Sequence, residues 1–149
     1  MATASTFAVD SDNLAMYLTD TTVIYLTNPD IPINALCALL NSDILDFRFH
    51  YLTKLKSGGV KEFFAKQVEK QPIPFKPHNS DLTLRLNELG LAVRDAIDEI
   101  SSTQIEKERQ SLNVEIARLT SEINQCVAKL FGITSDEFAF IQKTKSAWT

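Results

Sequence analysis

From Leu82 onward the apolar residues recur at alternating spacings of four and three, and this period constrains the fold more than any other feature of the chain. A first series runs Leu82, Leu86, Leu89, Val93, Ala96 and Ile100, and a second runs Ile105, Arg109, Leu112, Ile116, Leu119, Ile123, Cys126 and Leu130. Each is the seam of a helix that packs along another helix. The two are out of register, because the first would continue at Thr103 while the second begins at Ile105. Ser101-Ser102-Thr103 falls at the break, and Thr103 stands three residues before Glu106, the spacing of a capping box. The pattern predicts two helices, 82–101 and 104–131, either closed into a hairpin or joined end to end at a kink. Gly132 suits the position just past a helix end. Thr134-Ser135-Asp136-Glu137 then offers caps for a short last helix through Gln142, with Phe138, Ala139 and Ile141 packing back.

The N-terminal half reads differently. Leu14–Leu18 and Thr22–Leu26 are rich in Tyr, Val, Ile and Thr and are joined by three turn-compatible residues, which predicts a small β-hairpin. Asn28-Pro29-Asp30-Ile31-Pro32 breaks the chain. Ile33, Leu36, Cys37, Leu40, Ile44, Leu45, Phe47 and Phe49 then give one or two helices with a broad apolar face, interrupted or not at Asn41-Ser42-Asp43. Ser57-Gly58-Gly59 ends that region, and Val60–Val68 fits a short helix or an extended segment equally. Three prolines between Pro72 and Pro77 hold the chain extended. The expected fold is therefore α+β and predominantly helical: a small β-hairpin and short helices, then two long antiparallel or kinked helices and a short C-terminal helix. The expected division is 1–80, mixed α/β with a basic loop, and 81–149, a helical hairpin or coiled-coil-like region.

Composition narrows the class of function. A hydrophobic fraction of 44 % and a charged fraction of 23 % over 149 residues argue against wholesale disorder. No run approaches the roughly 18 apolar residues of a membrane span, and no basic patch leads into an apolar run at the N-terminus, so a cytoplasmic protein without membrane contact is expected. The formal net charge of -4 is unevenly spread. Residues 1–47 carry six acids and no Lys or Arg, whereas residues 48–76 carry seven bases against two acids, a local charge of +5. Local arrangement, not the total, sets the field at a surface.

No catalytic constellation is present. The two histidines, His50 and His78, and the two cysteines, Cys37 and Cys126, have no metal-ligand spacing, and the cysteines sit in apolar helical surroundings that suit buried thiols. No glycine-rich phosphate loop occurs. The acids of 81–137 are interspersed with bases as on a solvated helical surface. The chain is expected not to be an enzyme. What remains is the basic stretch: Arg48, Lys54, Lys56, Lys61 and Lys66 surround Ser57, Gly58 and Gly59, whose backbone N–H groups can approach phosphate oxygens closely. Such contacts position DNA without reading its sequence.

The order of several motifs adds a resemblance. Ile33-Asn34-Ala35-Leu36-Cys37-Ala38-Leu39-Leu40-Asn41-Ser42, the aromatic run Asp43–Tyr51, Ser57-Gly58-Gly59 with Phe63-Phe64, Lys66–Pro74 and Leu130–Glu137 follow one another along about three-quarters of the chain. This succession resembles the C-terminal target-recognition (specificity) domain of TaqI-type adenine-specific DNA methyltransferases and of type IIG restriction–modification enzymes. The resemblance implies a partner in double-stranded DNA, with Arg48, Lys54, Lys56, Ser57, Gly58, Gly59, Lys61 and Lys66 as the DNA-binding residues. It implies that Asn41-Ser42 also lies near DNA, that Pro72-Ile73-Pro74 is a structural link, and that Leu130–Glu137 completes the helical packing. No cofactor loop or Asn-Pro-Pro-aromatic catalytic loop occurs in this sequence, so no cofactor is assigned to it. S-adenosylmethionine is implied only for a catalytic methyltransferase or nuclease domain or subunit working with this one. The alternative is a helical protein-interaction module, with a homodimer formed through the long helices and no DNA binding of its own.

Overall fold

The computed structural model describes residues 7–10, 28–52, 54–55, 61–62, 68–76 and 79–148. Among these, five helices form the framework: α1 (Ile33–Leu40), α2 (Asp43–Leu52), α3 (Ser80–Ser102), α4 (Glu106–Phe131) and α5 (Ser135–Ser146). The expected α+β architecture is thus corrected to a helical one, packed helix on helix. The β-hairpin expected at Leu14–Leu18 and Thr22–Leu26 lies outside the described residues. Among the described residues the extended pairing is confined to β1 (Lys54–Leu55) and β2 (Lys61–Glu62), antiparallel and two residues each. Such a pair is too short to form a sheet layer, and the apolar faces of α1 and α2 are covered by helices instead.

The two long helices close into an antiparallel hairpin, which decides between the two arrangements left open by the seam. The Cys126 thiol donates to the Leu82 carbonyl at 3.3 Å, and Arg85 on α3 reaches Glu122 on α4 at 2.8 Å. At the bend, Thr103 does not cap through Glu106. Its hydroxyl donates to the Glu108 carboxylate at 2.6 Å, and α4 begins only after Ile105. Leu86, Leu89 and Ala96 on α3 and Leu119, Ile123 and Cys126 on α4 are buried, whereas residues 97–118 contain no buried residue. The hairpin therefore has a base fixed in the core and a tip that projects from it. At the far end of α4, Gly132 takes the left-handed conformation with φ of 68°, as its position past the helix end requires. Thr134 and Glu137 then form a complete capping box for α5, which runs four residues beyond the expected Gln142.

α1 lies across α3 at Gly90. A Cβ there would stand 2.5 Å from the carbonyl oxygen of Asn34 and 3.2 Å from the Ala38 Cβ. With Ala35, Ala38 and Leu39 facing it, this crossing brings two backbones closer than any larger side chain permits. The core continues through Ile44, Leu45 and Phe49 of α2 to Val127 of α4 and Ile141 of α5, so it draws on both halves of the chain. Gly90→Ala should push α1 off α3 and destabilise the fold by about 1–3 kcal/mol. The check is a lower urea midpoint with an unchanged slope.

Candidate nucleic-acid interface

The sequence directs attention to the end of α2 and the loop that follows. α1 stops at Leu40, and Ser42 turns the chain into α2: its hydroxyl donates to the Leu39 carbonyl at 2.7 Å and accepts from the Leu45 N–H at 3.3 Å. Asn41 is used internally as well. Its side-chain amide accepts from the Phe7 N–H and donates to the Phe7 carbonyl, both at 2.8 Å, while the Phe7 ring stacks on Phe49 with centroids 6.0 Å apart. Asn41 and Ser42 thus serve the α1–α2 corner and the N-terminal segment.

Asp43, the first residue of α2, ties three helices together. Its backbone N–H, a donor left over at the helix start, is accepted by the Asn124 side chain of α4 at 2.8 Å. The Asn124 amide returns a hydrogen bond to the Asp43 carboxylate at 2.7 Å. Lys145 of α5 hydrogen-bonds the same carboxylate and pairs with Asp46 at 3.0 Å, where the Asp46 side chain is only 5 % exposed. Burial disfavours the Lys145 charge. Its hydrogen bonds to Asp43 and Asp46 and the charges of both outweigh that and hold its pKa above the ordinary 10.5. No buried side-chain nitrogen or oxygen among the described residues lacks a partner.

On this support α2 runs to Leu52, and two residues later the chain enters β1. The register pairs Lys54 with Glu62 and Leu55 with Lys61, so the two lysines stand on adjacent rungs of the ladder, Lys54 opposite an acid. Arg48 is exposed on α2, and its Nε donates to the Gln71 side chain at 2.9 Å, fastening α2 to the extended Gln71–Lys76 segment. That segment is fixed again at its end, where Asn79 donates to the Pro74 carbonyl at 2.7 Å and accepts from the Lys76 N–H at 2.8 Å. Of the other expected contact residues, Lys56, Ser57, Gly58, Gly59 and Lys66 lie outside the described residues.

Lys145, Asn124 and the aromatic side chains joining α2 to α5 were not singled out by sequence as a site. Asn124 carried a weak signal, a polar residue next to the seam residue Ile123, and it proves buried while its neighbour Gln125 is exposed. Lys145 carried none, since its partners lie about a hundred residues away in sequence. Among the described residues, no group of three or more His, Cys, Asp or Glu is placed to hold a metal, and no helix is long and apolar enough to cross a membrane. Cys126 is buried and Cys37 half-buried, and burial raises the pKa of both thiols. In comparisons with family models, curated proteins and solved structures, nothing matches the chain.

A raised lysine pKa stabilises the fold below its unfolded value of 10.5, and that contribution fades as pH climbs through the higher folded value. Urea stability should therefore fall above about pH 10.5 with a component that Lys145→Met abolishes. At neutral pH the same variant should lose about 1–3 kcal/mol, because the buried Asp46 carboxylate loses its Lys145 partner. Parallel alkaline profiles for the two proteins would contradict the assignment.

Proposed function

We propose that this chain is a non-catalytic DNA target-recognition module of a restriction–modification adenine methyltransferase system. Its partners are double-stranded DNA and a catalytic methyltransferase or nuclease domain or subunit, and S-adenosylmethionine belongs to that catalytic part. One observation supports the reading above the others. The β1–β2 pairing sets Lys54 opposite Glu62 and Lys61 opposite Leu55, on the two rungs nearest the sequence that contains Lys56 and the double glycine. In the sequence the segment of highest positive charge follows directly after α2, whose start is anchored to α4 and α5. The motif order in Ile33–Ser42, Ser57–Gly59, Lys66–Pro74 and Leu130–Glu137 agrees with the same reading.

In this role the basic loop contacts phosphates and sets the position of the module on the duplex. Replacing Lys54, Lys56 and Lys61 together by alanine should weaken binding to duplexes of unrelated sequence by a similar factor. The slope of log K against log salt should become shallower by roughly 0.9 for each phosphate that is no longer neutralised. A triple variant that binds duplex DNA with the same affinity and salt slope as the parent would overturn the proposal.

A further inference from the structure

Two helices end at the same place, and an aromatic stack joins their ends. His50 stands in the last turn of α2, and α5 ends at Ser146, two residues before Trp148. The imidazole and the indole lie face to face, with centroids 3.6 Å apart and planes 7° apart. Phe47 stacks on the same indole at 5.7 Å, and Tyr51 meets His50 and Trp148 edge-on at 5.4 Å and 6.1 Å. These contacts fasten the C-terminal end of α5 to the turn of α2 that leads to Lys54. His50 and Trp148 are both half-buried, so the imidazole keeps access to water and to protons. Of the side-chain types in this stack, imidazole is the one that changes charge between about pH 5 and 8.

The surroundings of the imidazole favour its charged form. The C-terminal end of a helix carries partial negative charge, and two such ends converge here. One turn before His50 on α2, Asp46 shares a single cation with Asp43, Lys145 of α5, which leaves one net negative charge. Arg48 on α2 and Lys143 on α5 act in the opposite sense, but both are exposed to screening solvent. Arg48 is also turned to Gln71, which follows the exposed Glu69 and Lys70. Asp136 and Glu137 lie at the other end of α5, and Glu137 is held by Thr134. The side chain of Lys54 and the whole of Thr149 lie outside the described residues. An imidazolium lying on the face of an indole gains a cation–π attraction that the neutral ring lacks. We propose that His50 and Trp148 form a proton-dependent clasp: protonation of His50 tightens the hold of α2 on the C-terminal end of α5, and loss of that proton loosens it. The contribution is full below the ordinary histidine value of about 6.5 and is lost as pH rises through the higher value of the folded chain. The clasp does not depend on the DNA-binding reading.

Trp148 is the single tryptophan of the chain, so its fluorescence reports on the clasp alone. The full chain would be titrated from about pH 5 to 9. Emission should be quenched in acid, where the stacked imidazolium accepts charge from the excited indole. It should then rise in a one-proton step with a midpoint above about 6.5. His50→Gln should remove the step, and His78→Gln should leave it in place. A proton NMR titration of the His50 ring gives a readout that does not use emission. In that titration Trp148→Leu should lower the His50 midpoint by about half a pH unit or more. Parent emission that stays constant across the range, a midpoint at or below about 6.5, or a step that survives in His50→Gln would overturn the proposal. So would a His50 midpoint that Trp148→Leu leaves unchanged or raises, because the stack would then be indifferent to the proton or would favour the neutral ring.

Discussion

The close crossing of α1 on α3 at Gly90 is the constraint from which the remaining geometry follows. With hydrogen in place of a side chain, the Asn34 carbonyl comes within 2.5 Å of where a Cβ would stand, and α1 lies flat on the hairpin. That placement brings the α1–α2 corner over α4, where Asn124 meets the first N–H and the carboxylate of Asp43. Lys145 closes the arrangement from α5. The direction of α2 is thus set by one absent methyl group and one polar node.

The same device is used twice. Asn41 and Asn124 each give a side-chain amide that both donates to and accepts from a distant segment, Phe7 in one case and Asp43 in the other. Such two-way pairing fixes direction as well as distance, which apolar packing does not. It locates the N-terminal segment and the start of α2 without needing a sheet. The charged pair at Lys145 is of the kind whose breakage costs more than its formation contributes, because one partner stays buried.

Local signals in the sequence carried much of the framework. The four-and-three spacing located α3 and α4, the register break at Ser101–Thr103 located the bend, and Gly132 with Thr134 and Glu137 located the end of α4 and the start of α5. These features act within one or two turns, so a local reading finds them. The role of Gly90 was not legible, because a glycine inside a helical pattern announces a close neighbour but not which one. Lys145 looked like a surface lysine, since its partners Asp43 and Asp46 come from the other end of the chain. The α+β expectation is corrected because the described core is built mainly from helices, with a two-residue antiparallel pair as the extended pairing among the described residues, while the runs Leu14–Leu18 and Thr22–Leu26 lie outside them. Of the candidate interface, the sequence shows the run of basic residues between Arg48 and Lys76. The node of Asp43, Asn124 and Lys145 that holds α2 depends on contacts among α2, α4 and α5 that no local pattern contains.

We propose that the basic segment following α2 meets the DNA backbone from a rigid helical support. Hydrogen–deuterium exchange of the intact chain, with and without a duplex at low salt, tests that union most directly. Slowed exchange concentrated in residues 48–61, with the projecting hairpin tip at 97–118 unaffected, is the result the account requires. Protection confined to the hairpin tip, or none anywhere at saturating duplex, would contradict it.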